Sequence, residues 1–436
     1  MMIMRIVTVF AIIVAALAAM VAWLNFREED GIPQATAAFS PTPAQIQRGQ
    51  YLARAGNCIA CHTKRGGEPY AGGLGVRTPF GTVYSTNITP DAKTGIGTWS
   101  SAHFWRAMHN GRSKDGRLLY PAFPYPNYTQ ITREDSDAIF AFLWSLPPAE
   151  QIKRPHDLRF PYNNQLALAV WRALFFEPES FQPDNSKSAQ WNRGAYLVRG
   201  LGHCVACHSS RNMFGATSEK LELSGGLIPM QGWYAPSLSS SKEAGVADWE
   251  TQDIVDLLKA GLSTRGSVMG PMAEVVYRST QHLTDEDLRA MSVFVKALPQ
   301  ASAEADETTW FSWFSARKKQ GLSEDRRRRG AKIYEQQCSQ CHGDSGEGAV
   351  AAYPPLAGNR AVTMDIPANL IRIVLSGGYL PATAGNPRPY GMPPFAHVLS
   401  DADIADVVTY IRSSWGNTAE PVSQLEVMRY RAGRAD

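Results

Sequence analysis

No cysteine in this 436-residue chain lies outside three copies of one short pattern. The copies are Cys58-Ile59-Ala60-Cys61-His62, Cys204-Val205-Ala206-Cys207-His208 and Cys338-Ser339-Gln340-Cys341-His342. A zinc site needs four ligands, and there is no further Cys, nor a His-x-x-x-His pattern after any copy, to complete one. The net charge is only +3, so the excess of one sign that marks nucleic-acid partners is missing. No Gly-rich dinucleotide fingerprint is present, and no nucleophile–base arrangement stands out. A substrate site for organic oxidation is therefore not expected.

What remains is the repeated motif itself. Cys-x-x-Cys-His is the attachment pattern of c-type haem. Two thiols on one helical turn each bond a vinyl group of the porphyrin, and the adjacent His reaches the iron from one face. A thioredoxin-like pair would have no use for that His. Three copies imply three covalently bound haem c groups, and hence an electron wire. Thiols consumed as thioethers leave none for disulfides.

The run Ile6–Leu24 carries no charged residue and is long enough to span a bilayer. Arg5 before it places the N-terminus on the cytoplasmic side and the rest in the periplasm. The alternative is a cleaved signal peptide, but Ala16-Leu17-Ala18 and Ala35-Thr36-Ala37 are poor cleavage sites and the run is long for a signal core. Similar frames recur around the motifs. Arg48-Gly49, Arg193-Gly194 and Arg329-Gly330 precede them, on helices whose small residues permit close crossing. Capped helices follow, opening at Thr132, Thr284 and Ser400, with an acid three residues later. The expected fold is mainly α, with three tandem class I cytochrome c-like domains at 41–148, 187–299 and 323–416. An anchor or signal (1–26), linkers at 27–40, 149–186 and 300–322 and a tail at 417–436 complete it. The first long linker has Trp171, Phe175 and Phe176 at helical spacing. The second has an apolar patch at Trp310–Phe314. The run Arg326–Arg329 reads as a solvated helix start or a steering patch for an acidic partner.

A Met thioether in the sixth position closes the iron and raises its potential. Met392 lies in the expected loop of the third domain, and Met364 falls too early. Met272 occupies the second loop, with Met269 competing. In the first, Phe123 stands where Met belongs, so Met108 is the first choice. His109 or His103 would make a bis-His haem, and an open position is the third option. The remaining histidines, His156, His203, His282 and His397, are expected to be structural or solvent-facing. Three loops, at Ser85–Asp91, Tyr234–Leu238 and Tyr353–Asn359, are placed to hold the ligating His rings through backbone carbonyls.

The chain resembles the tri-haem cytochrome c subunit of membrane-bound, quinone-reducing alcohol, aldehyde and sugar dehydrogenases of acetic acid bacteria and related proteobacteria. The resemblance rests on Ser85–Asp91 with Thr94–Gly97, on Gly270–Glu274 and on Tyr353–Asn359. It implies electron transfer from a large catalytic subunit of molybdopterin, PQQ or flavin type to ubiquinone, possible presence of a small iron–sulfur or accessory subunit, and no nucleic acid. It also implies an inner-membrane location with the haem domains in the periplasm, and ligation by His62, His208, His342, Met272 and Met392. Phe123 with an upstream Met is similar to cytochromes paired with molybdopterin aldehyde dehydrogenases. The rival reading is a multihaem peroxidase-type enzyme with one open haem.

Overall fold

The computed structural model describes residues 2–27, 29, 31–32, 39–217, 221–300, 323–350 and 352–432. The Ala35–Ala37 cleavage candidate and the Trp310–Phe314 patch lie outside the described residues. The chain is mainly helical, as expected, and forms two compact units. Unit one comprises Met1–Asp184, Val198–His203 and Met213–Ala216; unit two comprises Asn185–Leu197, Cys204–Asn212 and Thr217–Asp436.

Unit one begins with α1 (Met2–Phe26), whose apolar side chains point outwards along almost its whole length. Its only buried residue is Asn25. Helix α2 (Pro43–Ala55) starts at a complete capping box: the Thr42 hydroxyl accepts from Gln45 N, and the Gln45 carboxamide accepts from Thr42 N at 3.0 Å. Next come the antiparallel strands β1 (Gly75–Thr78) and β2 (Gly81–Tyr84), then α3 (Ser101–Asn110) and α4 (Arg133–Trp144). Strand β3 (Asp157–Leu158) pairs with β2, and α5 (Gln165–Phe175) is the ordered helix expected in the first linker.

Helix α6 (Ala189–Ala195) belongs to unit two and is followed directly in the chain by a π-helical stretch, Tyr196–Leu201, of which Val198–Leu201 count with unit one. The three Arg-Gly pairs explain that stretch. Nine residues separate Gly49 from Cys58, ten separate Gly194 from Cys204, and eight separate Gly330 from Cys338. The wider π turn absorbs the longest of these spacings without breaking the helix. Strands β4 (Gly226–Ile228) and β5 (Trp233–Ala235) pair, and α7 (Pro271–Arg278) and α8 (Asp285–Lys296) follow. The third motif is framed by α9 (Glu324–Gln337), α10 (Ala368–Ser376), the paired strands β6 (Gly378–Tyr379) and β7 (Gly391–Met392), and α11 (Asp401–Arg412).

One packing device occurs three times. A Cβ on Gly49 would strike the Ala138 carbonyl, one on Gly194 the Ala290 carbonyl, and one on Gly330 the Asp406 carbonyl. Thus α2 crosses α4, α6 crosses α8 and α9 crosses α11 at backbone contact. An ion pair flanks each crossing. Arg48 binds the buried Asp135. Arg193 binds Asp287 through two 2.8 Å hydrogen bonds. Asp406 accepts from Arg326 Nε at 2.6 Å and Arg329 Nε at 2.8 Å. The Arg326–Arg329 run lies at the start of α9 with Arg328 and Arg329 largely solvated, and two of its members, Arg326 and Arg329, also bind Asp406. The caps at Thr132, Thr284 and Ser400 form as expected, each accepting from an Asp amide at 3.2 Å. The apolar face of α11 (Ile404, Val407, Val408 and Ile411) is buried with Leu356, Ile371, Leu375 and Phe395.

Candidate haem-attachment sites

Each motif occupies a single helical turn or its edge: Cys58–Cys61, Val205–His208 and Ser339–His342. Each His is then held twice. Its Nδ1–H donates to a carbonyl: His62 to Thr86 at 2.7 Å, His208 to Pro236 at 2.7 Å and His342 to Pro354 at 3.0 Å. A carbonyl only accepts, so the proton sits on Nδ1 and Nε2 keeps the lone pair that a metal needs. Desolvation lowers the pKa of all three rings, with the backbone hydrogen bond opposing it, which favours the neutral form. The second hold is on the His carbonyl, which accepts from Gly72 N at 2.7 Å, Gly225 N at 2.7 Å and Gly348 N at 2.8 Å.

Those three glycines have positive φ (76°, 87° and 67°), and a Cβ on any of them would collide with neighbouring protein atoms. The turn that returns to the His is thus possible only with glycine. The acceptor loops are delivered by local structure: β2 runs into Thr86, β5 into Pro236, and the Ala349–Tyr353 bridge precedes Pro354. The first cysteine of each pair is held as a neutral thiol. Burial, with repulsion from the second Cys of the pair, pushes Cys58 and Cys204 up to about 12 and Cys338 to about 11. A thioredoxin-like pair or a zinc site requires the opposite shift. Among the described residues there is no cluster of three or more His, Cys, Asp or Glu suited to a metal ion. A neutral leading thiol in each pair, beside a His with its Nε2 lone pair free for a metal, fits c-type haem.

The structure places the sixth-ligand candidates unequally. Met392 lies in β7 and packs on the same apolar cluster as Cys338 and Phe395. Met364 is buried against Tyr234 and Ala368 instead. Met272 sits in the first turn of α7, just after Gly270, whose missing Cβ leaves room for the Trp233 ring. Met108 is buried in α3 beside Phe104. His103 Nδ1 is engaged in the capping box with Ser100. His109 Nδ1 donates to the Thr129 carbonyl at 2.8 Å while its ring stacks on Trp105. Phe123 packs 5.4 Å from the Tyr128 ring, and the Tyr128 hydroxyl donates to Gly56 O, two residues before Cys58. His156 accepts from Tyr84 N, and His203 Nδ1 lies 3.1 Å from Leu201 O, so both have structural roles.

Sequence reasoning located the acceptor loops but missed the glycine clamps; the doublets Gly72-Gly73 and Gly225-Gly226 were the available signal. It also missed Asn369 on α10. This side chain accepts from Tyr234 N at 2.9 Å and donates to Tyr234 O at 2.7 Å, closing the β5 edge two residues before the His208 acceptor. Asn369→Ala removes both of these buried hydrogen bonds, so a loss of about 3 kcal/mol is expected. Thermal unfolding followed at the haem bands would measure it, with no smaller loss for Asn369→Asp, which keeps the acceptor but buries a carboxylate oxygen against the Tyr234 carbonyl.

A cytochrome c family model matches residues 46–147 and 328–415. The cytochrome c subunit of a quinone alcohol dehydrogenase from Gluconobacter oxydans is 40% identical over 398 residues, covering 89% of this chain and 82% of that protein. The gluconate 2-dehydrogenase cytochrome c subunit of Pantoea cypripedii is 38% identical over 413 residues, covering 90% and 92%. The fructose dehydrogenase cytochrome subunit of Gluconobacter japonicus is 34% identical over 417 residues, covering 90% and 85%. The turn, the pinned imidazole and the paired cysteines agree with these matches: the chain belongs to the cytochrome c family, among the cytochrome c subunits of dehydrogenase complexes, and binds haem c covalently.

Proposed function

We propose that this chain is the three-haem electron-transfer subunit of a membrane-bound dehydrogenase complex, passing electrons from a separate catalytic subunit to ubiquinone. The observation that carries this reading is the threefold recurrence of one clamp, Nδ1–H to a carbonyl and a His carbonyl to a glycine N–H. A haem iron supplies a one-electron Fe(III)/Fe(II) couple when bound. The chain's own residues do the rest. Cys58, Cys61, Cys204, Cys207, Cys338 and Cys341 hold the porphyrins, and His62, His208 and His342 take the fifth positions. Met108, Met272 and Met392 take the sixth. A second reading for the first site has support in the structure: His109 makes the same kind of Nδ1–carbonyl bond as His62.

We read α1 as a retained anchor with the haem modules, at 41–148, 187–299 and 323–416, on the periplasmic side. Asn25 supports retention. Its side chain donates to Ala169 O and accepts from Arg172 Nε, both at 2.9 Å, and its carbonyl accepts from Arg112. Cleavage would discard a residue built into the folded unit. The donor differs among relatives named for alcohol, gluconate and fructose, so the catalytic partner sets the substrate. Phe123 in the first loop favours an aldehyde-oxidising molybdopterin partner over PQQ or flavin types.

Intact mass and pyridine haemochrome of the purified complex should give three haems per chain, and substrate should reduce a ubiquinone analogue only when this subunit is present. Peroxide turnover by the lone chain, with no catalytic subunit co-purifying, would overturn the assignment in favour of a peroxidase.

A further inference from the structure

Helix α5 turns a stripe of large apolar side chains away from unit one. Leu166, Val170 and Leu174 are 76%, 46% and 68% exposed and recur every four residues, so they share one face. The opposite face, with Leu168 and Arg172, is buried. One flank of α5 is fastened to α1 through the Asn25–Ala169 and Asn25–Arg172 hydrogen bonds. At the other, Trp171 Nε1 donates to Phe214 O at 2.9 Å, and the Phe175 ring stacks on Phe214. Met213, which precedes Phe214 in the chain, is 81% exposed.

We propose that α5 lies in the headgroup–acyl boundary of the bilayer that α1 crosses, with Leu166, Val170 and Leu174 in the apolar layer. The inference rests on reading α1 as a membrane anchor. Continuity with α1 selects the occupant. Asn25 belongs to the last turn of α1, where Trp23 and Phe26 are exposed at 63% and 60%, as suits the interfacial belt of a spanning helix. The helix bonded to that turn therefore sits at the depth of the interface. The junction is also stiff. Arg112 donates to Asn25 O at 3.0 Å, pairs with Glu29 at 2.8 Å and lies 4.3 Å over the Phe26 ring. Unit one cannot swing about a flexible tether and carry α5 away from the surface. An amphipathic helix held there gains from burying its apolar face, and the stripe no longer constitutes an unexplained exposed patch.

The test uses the full, haem-loaded chain in vesicles of phosphatidylcholine and phosphatidylglycerol, without the catalytic subunit. Nitroxide labels are placed singly through Leu166→Cys, Val170→Cys and Leu174→Cys. Leu17→Cys serves as the anchor reference and Glu134→Cys as the aqueous one. Collision with oxygen relative to a water-soluble nickel chelate is read by electron paramagnetic resonance. The expected result is a ratio at 166, 170 and 174 at least about threefold above that at 134, and below that at 17. Water-like values along α5 with a lipid value at 17 overturn the inference and leave the anchor standing. A water-like value at 17 overturns the anchor reading itself. Protection of the α5 labels only after adding the catalytic subunit also overturns the inference, by assigning the stripe to a protein partner.

Discussion

Gly194→Val is expected to lower stability by at least about 3 kcal/mol and to leave the chain short of one haem. The added side chain has nowhere to go. At this position a Cβ meets the carbonyl of Ala290, and the next nearest atom outside that peptide is the Phe294 Cβ. These are backbone and near-backbone atoms, which no rotamer change can clear, so α6 and α8 must separate. Separation also pulls Arg193 from Asp287, whose carboxylate is nearly buried and bound at 2.8 Å twice. The same substitution at Gly31, which has no atom within 4 Å, serves as the control and should be silent. Denaturation followed by far-ultraviolet circular dichroism and haem absorbance, together with haem counts per chain, would measure both effects. Wild-type stability in Gly194→Val would show that the helix crossing is not the constraint.

Carbon monoxide binding to the reduced protein is expected to rise from near zero to about one haem in three on Met392→Ala, since three attachment motifs are present. Met392 shares its apolar cluster with Cys338, whereas Met364 is packed against Tyr234 and Ala368. Met364→Ala should therefore leave carbon monoxide binding unchanged while costing about 2–4 kcal/mol as a buried truncation. Met272→Ala should open a second site. The first site is decided by a pair of variants. Met108→Ala opens it if the thioether is the ligand; His109→Phe does so if the imidazole is. Substantial carbon monoxide binding by the unsubstituted protein would show an open iron and favour the peroxidase reading.

Much of this was legible in the sequence because the signals are local. A Cys-x-x-Cys-His turn, a Thr or Ser cap with Asp three residues on, and the period of Ile404, Val407, Val408 and Ile411 all lie within one or two helical turns. The Arg-Gly pairs were also legible, since a crossing needs one small residue and the three frames align. The glycine clamps were not. Gly72, Gly225 and Gly348 lie ten, seventeen and six residues after their His, so no spacing repeats. Their shared role exists only as a backbone hydrogen bond. Asn25 and Asn369 were missed for a related reason. Each is a polar residue in a mainly apolar helix, and partners lie 144 and 135 residues away in the chain.

That last separation has a consequence in time. The chain is made from its N-terminus, so Tyr234 emerges long before Asn369. Until Asn369 arrives, the strand that leads to the His208 acceptor lacks the two hydrogen bonds that this carboxamide makes to Tyr234. The second His clamp is thus completed by a residue made 135 positions after the strand that it closes. A chain stopped after Pro299 would contain every residue of the second motif and still lack the part that closes it.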